Sequence, residues 1–490
     1  MGLREAIKEE NRWGKTWNGC ETPVTTGDNL LDMFGRAGSM RQATVTEREL
    51  MFSKAFKENP DLAVKLLFYV RDIRGGYGEK DTFKLMFRHL AQINKESVAK
   101  NLWAVLEFGC AKDLYSLIGT EAEDDMWAFM KSQFELDLEN LEAGKGISLL
   151  AKWIATPGSK SPKTKELAKL TAKKLGYKYD RMAEYKAKLR RLRQELDLPE
   201  AKVCSGRFSE IEYSKCASRF LFKYRNVLAK KDAERWAEFT KKVDSGEAKM
   251  NTGTLTPVDI ITQVRDNYTS DLETMWKALE DVCKGNALVM ADTSGSMTWG
   301  NSSVRPLDVA VALALYFAQR NKGDLKDMFM TFDTRPKFIE MSGATLRDNY
   351  RICERADWGG STNLEAGFDL LLKTCIKGNV SAEEMPDALV IVSDMQINCV
   401  RGVGSDTNMT FYDAMKARYE AAGYKMPQVI FWNVNAVNPT FLASKTDRGV
   451  SLVSGYSVNI FKQAMEKIDS TPFELMMQIL TSERYKDVVA

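Results

Sequence analysis

The stretch ALVMADTSGSM, residues 287–297, runs five apolar residues straight into Asp292, with hydroxyls following at Ser294 and Ser296. A short apolar run bounded by polar turn residues reads as a buried strand, so this one ends by presenting a carboxylate and two hydroxyls together. Similar runs follow: MFMTF (328–332), DALVIVSD (387–394), QVIFWNV (428–434) and VSLVSG (450–455). Between them lie helical segments, among them PLDVAVALALYFAQR (306–320), NLEAGFDLLLKTC (363–375) and FYDAMKARYEAAG (411–423). Near-continuous apolar strands alternating with helices predict a mainly parallel sheet covered on both faces, a doubly wound α/β unit over 283–490.

Ligands of such sheets bind beyond the carboxyl ends of the strands. Three polar clusters fall there on this reading: Asp292, Ser294 and Ser296; Thr362 in WGGSTN (358–363); and Asp394, closing its apolar run. Two carboxylates and three hydroxyls, with no His or Cys beside them, suit a hard divalent cation such as Mg²⁺, with water completing the shell. The alternative, that Asp292 merely caps a helix beginning near Ser296, accounts for one cluster and not for three.

Residues 1–282 read differently, as consecutive amphipathic helices. Asn59-Pro60 marks a helix start, Leu62, Leu66, Leu67 and Val70 make one apolar face, and Gly75-Gly76 stops it. Phe83, Phe87 and Leu90 repeat the spacing, as do Val98, Leu102 and Val105 before Gly109. Short helices of this kind are stable only when packed on one another, which predicts an α-helical repeat domain of paired helices. A later helix carries the seam Met182, Tyr185, Leu189, Leu192 and Leu196. From Lys160 to Arg193 there are 13 Lys and Arg against three acids, Glu166, Asp180 and Glu184. A solvated helix pair is one reading of that run; a surface for a polyanion is the other.

Composition sets the outer limits. The chain has 490 residues, 44% of them hydrophobic and 28% charged, with a net charge of +3. That is an ordinary folded composition, long enough for two domains. The eight cysteines are scattered with no CxxC pair, as expected of reduced thiols in the cytoplasm. No window approaches the ~18 consecutive apolar residues of a membrane span, and the N-terminal MGLREAIKEENR reads as a charged helix, so no membrane association is expected. His89 is the only histidine, which leaves a Cys/His zinc site or a Ser-His-Asp triad without material. There is no GxxxxGK[ST] loop, and Ser294 stands where a DxD pair would need its second carboxylate, so no enzyme is expected.

The clusters at Asp292, Ser294, Ser296, Thr362 and Asp394 resemble the metal-ion-dependent adhesion site of von Willebrand factor A domains. That resemblance implies a bound Mg²⁺, with Asp394 acting through water, and an open coordination position for an acidic group of a protein partner. A helical N-terminal half before such a domain resembles the Ro (TROVE) RNA-binding proteins, in which HEAT-like helical repeats form a ring closed by the A domain. More closely, KTWNG (15–19), RDIRGGYGEKDTF (71–83), SLLAKWI (148–154), KVCSGRFSEIEYSKCASRFLFKY (202–224) and VSLVSGYSVNIFKQ (450–463) look like an uncharacterised TROVE-like family of plants, fungi and viruses of bacteria. The resemblance implies a ribonucleoprotein scaffold binding single-stranded or structured non-coding RNA through its basic helical part. The alternative is a metal-dependent protein adaptor, such as the A-domain partner of a ring ATPase, without RNA. No short motif transfers RNA contacts one to one; charge and placement select Arg71, Arg74, Lys112, Lys152, Lys163, Lys165, Arg190, Arg191 and Arg193. Arg71 and Arg74 read equally well as helix C-terminal caps. Trp103, Trp153 and Tyr177 are candidates for stacking on bases.

Overall fold

A computed structural model describes residues 13–15, 21–283, 285–298, 304–356, 362–397, 411–436, 440–466 and 469–490. The expected N-terminal charged helix, Cys20, Cys399, most of KTWNG and the WGGS part of the second polar cluster lie outside the described residues. The chain divides into two compact units, one of residues 1–59, 75–77 and 252–482, the other of 60–74, 78–251 and 483–490. The expected junction at residue 282 marks the change from helical to alternating sequence. In the packing, residues before it join the sheet and the last eight join the helices.

The first unit is built on a sheet of six strands: β3 (Ala287–Asp292), β4 (Met328–Phe332), β5 (Phe338–Glu340), β6 (Ala388–Ser393), β7 (Gln428–Asn433) and β8 (Val450–Ser454). A separate antiparallel pair precedes them, β1 (Trp13–Lys15) and β2 (Glu21–Pro23). The sheet order is β5-β4-β3-β6-β7-β8, parallel except for the antiparallel edge strand β5. Strands β3, β6, β7 and β8 are buried along their whole length, which is why their sequences are apolar on both faces rather than alternating.

Helices cover both faces. On one, Leu288, Met290, Leu389 and Ile391 pack with Leu364, Phe368, Phe411 and Met415 from the helices Leu364–Gly378 and Phe411–Ala421. On the other, Phe317 of the helix Pro306–Ala318 meets Trp432 of β7 edge-on, with ring centroids 6.1 Å apart, and lies tilted against Phe461 at 4.4 Å. Each such side chain taken wholly out of water contributes about 1.5–3 kcal/mol before entropy is counted.

The edge at β8 is covered by a helix from early in the sequence. The helix Asn29–Ala37, capped by Asp28 on the Leu31 amide, leads into Gly38, whose N–H donates to Ser454 Oγ at 3.0 Å. Arg36 donates to the Ala436 carbonyl at 3.1 Å and Ser39 to Asn433 Oδ1 at 3.2 Å. Gly38 and Gly455 allow this approach: a Cβ on Gly38 would sit 2.6 Å from the Ser454 carbonyl oxygen, and Gly455 also has φ +90°. These contacts tie residues 36–39 to the sheet, and helical periodicity alone gives no hint of them.

The second unit is helical, with principal helices Pro60–Arg71, Lys80–Ile93, Glu123–Glu142, Pro162–Lys174, Met182–Glu195, Ser218–Lys231 and Ala233–Asp244. Pro60–Arg71 is buried on nearly every side from Ala63 to Arg71, not only along the expected face. Phe68 contacts Phe83, Phe87 and Phe108 at 5.5–5.9 Å, an aromatic centre that the neighbouring helices share. In the expected later seam Tyr185, Leu189 and Leu192 are buried and Met182 and Leu196 partly so. Buried Asp72 receives Arg484 and the Tyr485 hydroxyl from the C-terminal segment, and the Asn101 amide bonds the Val489 carbonyl at 2.5 Å.

Candidate metal centre

Strand order places the site. The chain moves from β3 outward to β4, then crosses back so that β6 lies on the other side of β3. The crevice between β3 and β6 is therefore the point at which the winding reverses, where doubly wound sheets bind their ligands. Asp292 is the last residue of β3, and Asp394 is the first residue beyond β6.

The loop after β3 turns at once. Ser294 N–H donates to Asp292 Oδ1 at 2.9 Å, Met297 N–H to the Ser294 carbonyl, and a short 3₁₀ turn runs over Gly295–Thr298. This brings Ser294 Oγ and Ser296 Oγ within 3.0 Å of each other. From the neighbouring strand Ser393 donates its hydroxyl to Asp292 Oδ2 at 2.5 Å, and the Ser296 side chain lies close enough to the Asp394 carboxyl to favour its charged form. Asp394 Oδ1 also accepts from the Gln396 amide at 3.1 Å. Thr362 donates to the Gln396 carbonyl at 3.1 Å, which ties the start of the helix Leu364–Gly378 to the same loop. All five residues selected from the sequence thus belong to one connected cluster.

Ser393 and Met395 belong to it without having been selected. Ser393 reads from sequence as the last residue of an apolar strand, and only the pairing of β6 with β3 points its hydroxyl at Asp292. Met395 has φ +63°, a conformation rare for a side chain of its size, and Thr440 anchors its carbonyl at 3.1 Å. A non-glycine residue held in that region beside a buried carboxylate is one that the surrounding structure over-determines.

Electrostatics separates the carboxylates from the hydroxyls. Asp292 is fully buried, Thr362 and Asp394 almost so, while Ser294 and Ser296 are half-buried at the mouth. Burial, and then the charge of Asp394, push the Asp292 carboxyl up to about 7; burial likewise raises Asp394. The groups acting on the pair are hydroxyls, backbone amides and each other. Among the described residues neither carboxylate has a Lys or Arg at ion-pair distance. No cluster of three or more His, Cys, Asp and Glu occurs among the described residues, so a cation here would rest on two carboxylates, the hydroxyls and water. That donor set fits Mg²⁺ in type and in charge.

The selected basic residues scatter over the helical unit. Arg71 is buried and pairs with the fully buried Asp113 at 2.7 Å, so its guanidinium is part of the core and unavailable to RNA. Arg193 donates to the Ala151 and Ile154 carbonyls, both at 2.9 Å. Lys152 pairs with Glu200 at 3.0 Å and lies 5.5 Å from the Trp153 ring centre. Arg74, Lys112, Lys163, Lys165, Arg190 and Arg191 are exposed, Arg191 at 3.8 Å from Glu142. Tyr177 is buried, whereas Trp103 and Trp153 are exposed.

Fold and site together define a class: a helical unit coupled in one chain to an α/β unit whose sheet carries hydroxyls and paired carboxylates at its switch point. Residues 16–145 and 131–290 match a family described as a domain of unknown function (DUF2828), and residues 286–486 match a second, also described as a domain of unknown function (DUF7788). The chain belongs to the DUF2828 family. It is also similar to "Uncharacterized protein L728" of Acanthamoeba polyphaga mimivirus, 25% identical over 510 aligned residues that cover 95% of this chain and 86% of that protein. No helix among the described residues is long and apolar enough to cross a membrane.

Proposed function

We propose that this chain is a non-catalytic scaffold of the cytoplasm whose α/β unit binds a divalent cation and through it an acidic group of a partner protein. The observation that supports this reading is the buried pair Asp292 and Asp394, brought together at the switch point with no cationic side chain among the described residues to offset them. Two like charges out of water are costly unless a positive charge joins them. Asp292, Ser294 and Ser296 would hold Mg²⁺ directly, with Thr362 and Asp394 completing the surround. Such an ion supplies an open position to which a carboxylate can bind. Ser393 and the Ser294 amide fix the orientation of Asp292, and the half-buried serines leave the mouth open. The arrangement resembles the adhesion site of von Willebrand factor A domains, and the helical unit a HEAT-like, TROVE-like repeat. Thermal unfolding with Mg²⁺ and with chelator tests the reading: a rise in midpoint with Mg²⁺ that Asp292→Ala removes is expected, and identical curves would end it.

A second activity, RNA binding by the helical unit, is favoured by the ten-charge excess between Lys160 and Arg193 and by the exposure of Lys163, Lys165, Arg190 and Arg191. Neutralising phosphates releases counterions, so the affinity for single-stranded RNA should fall steeply with salt, by about 0.7 in log–log slope for each phosphate contacted. Protein stripped of nucleic acid that fails to bind RNA at low salt would remove this part and leave the cation site untouched.

A further inference from the structure

The helical unit contains a cleft of about 720 Å³, within the range of about 300–1,000 Å³ usual for small-ligand sites. One wall is the helix Met182–Glu195, on which Lys186, Arg190 and Arg193 follow at steps of four and three and so share a face. The other wall, from Asp197 to Arg207, brings Lys202 and Arg207.

These cations are not equivalent. Lys202 is engaged with Asp197 at 2.6 Å and the Glu210 carbonyl at 3.1 Å, and Arg207 with Glu210 at 3.0 Å. Arg193 is held by two backbone carbonyls, which orient its guanidinium without cancelling the charge. Lys186 and Arg190 have no carboxylate at ion-pair distance among the described residues. Three uncompensated positive charges therefore lie along two turns of one helix, an arrangement that repels itself until an anion joins it. Beside them Leu189, Leu198 and Pro157 make an apolar part of the lining.

We propose that this cleft binds a phosphorylated nucleotide, its phosphate against Lys186, Arg190 and Arg193 and its base or sugar against the apolar lining. Charge alone would suit any polyanion; the apolar wall of Leu189, Leu198 and Pro157 selects one that also carries an uncharged ring to lay against it. The source is either a free nucleotide or one residue of an RNA strand, and in the second case the proposal rests on the RNA reading above and locates it.

The test uses the full chain, with a labelled single-stranded oligoribonucleotide, AMP and adenosine as probes, and the double variant Lys186→Gln/Arg190→Gln. Both substituted side chains are exposed, so folding is expected to be kept, which circular dichroism checks. Loss of about tenfold or more in affinity for the phosphorylated probe, with a salt slope lower by about 1.4, is expected of the double variant. AMP that competes where adenosine does not identifies a free nucleotide; AMP that fails to compete, while the double variant still loses the strand, assigns the cleft to RNA. Adenosine competing as well as AMP overturns phosphate recognition. Wild-type affinity in the double variant overturns the cleft even if RNA binds. AMP binding without RNA binding would overturn the RNA reading and leave the cleft standing.

Discussion

Ser393 donates to Asp292 across two adjacent parallel strands, β6 and β3, with oxygens 2.5 Å apart. With the Ser294 amide on its other oxygen, the Asp292 carboxylate is oriented from both sides while buried against a second carboxylate.

This geometry predicts opposite effects of one substitution under two conditions. Asp292→Asn keeps the shape and removes one of two buried like charges, so with chelator the variant should unfold at or above the wild-type temperature. With Mg²⁺ at a hundred times its dissociation constant, the wild type should gain about 2.7 kcal/mol and the variant almost nothing. Calorimetry in both buffers checks it; equal gains in the two proteins would refute the site.

Arg71 and Asp113 form a buried ion pair at 2.7 Å, with Lys84 a further 3.7 Å contact of Asp113. Removing Arg71 leaves the buried Asp113 with only the longer ion-pair contact to Lys84. Arg71→Ala should lose about 3–5 kcal/mol of stability, read as a lower urea midpoint. A near-neutral result would mean the guanidinium contributes nothing to the core.

Asp72 links acidity to the stability of the helical unit. Burial alone would raise its carboxyl, but bonds from Arg484, the Arg74 amide and the Tyr485 hydroxyl outweigh burial and hold it below the ordinary aspartate value. A depressed folded-state value stabilises the fold above the unfolded-state pKa, and that contribution is lost as pH falls through the folded one. The stability difference between wild type and Asp72→Asn should thus be widest near neutrality and shrink below about pH 4. Denaturant titrations across that range measure it, and a difference independent of pH would contradict the assignment.

Gly455 combines φ +90° with a Cβ position 2.8 Å from the Gly38 carbonyl oxygen. Gly455→Ala should destabilise the sheet unit by about 1–3 kcal/mol, the range for a side chain forced into strained backbone. Chemical denaturation followed by tryptophan fluorescence checks it. Wild-type stability would show that the first helix does not approach β8 so closely.

Much of the architecture was legible because its signals are local. The runs at 287–292, 328–332, 388–393, 428–433 and 450–454 are strands, and the helical segments read between them form helices at Pro306–Ala318, Leu364–Gly378 and Phe411–Ala421. Edge strand β5 escaped notice because Phe338–Glu340 is only three residues long and half-exposed, too brief for any periodicity. Arg71 was open to two readings, an RNA contact or a helix C-terminal cap, because charge and helix end are visible in a sequence and its buried partner, 42 residues away, is not.

The sequence by itself determined the five long strands of the sheet, and with the end of the first one the Asp292-Ser294-Ser296 turn, since apolar runs and turn residues act over a few positions. Only the tertiary structure decided that β6 pairs with β3, which sets Asp394 and Ser393 beside Asp292, and that residues 29–59 pack in the sheet unit and not with the helices that follow. Strand order and docking are settled by burial and hydrogen bonding between segments hundreds of residues apart, for which no local pattern of residues is a sufficient cause.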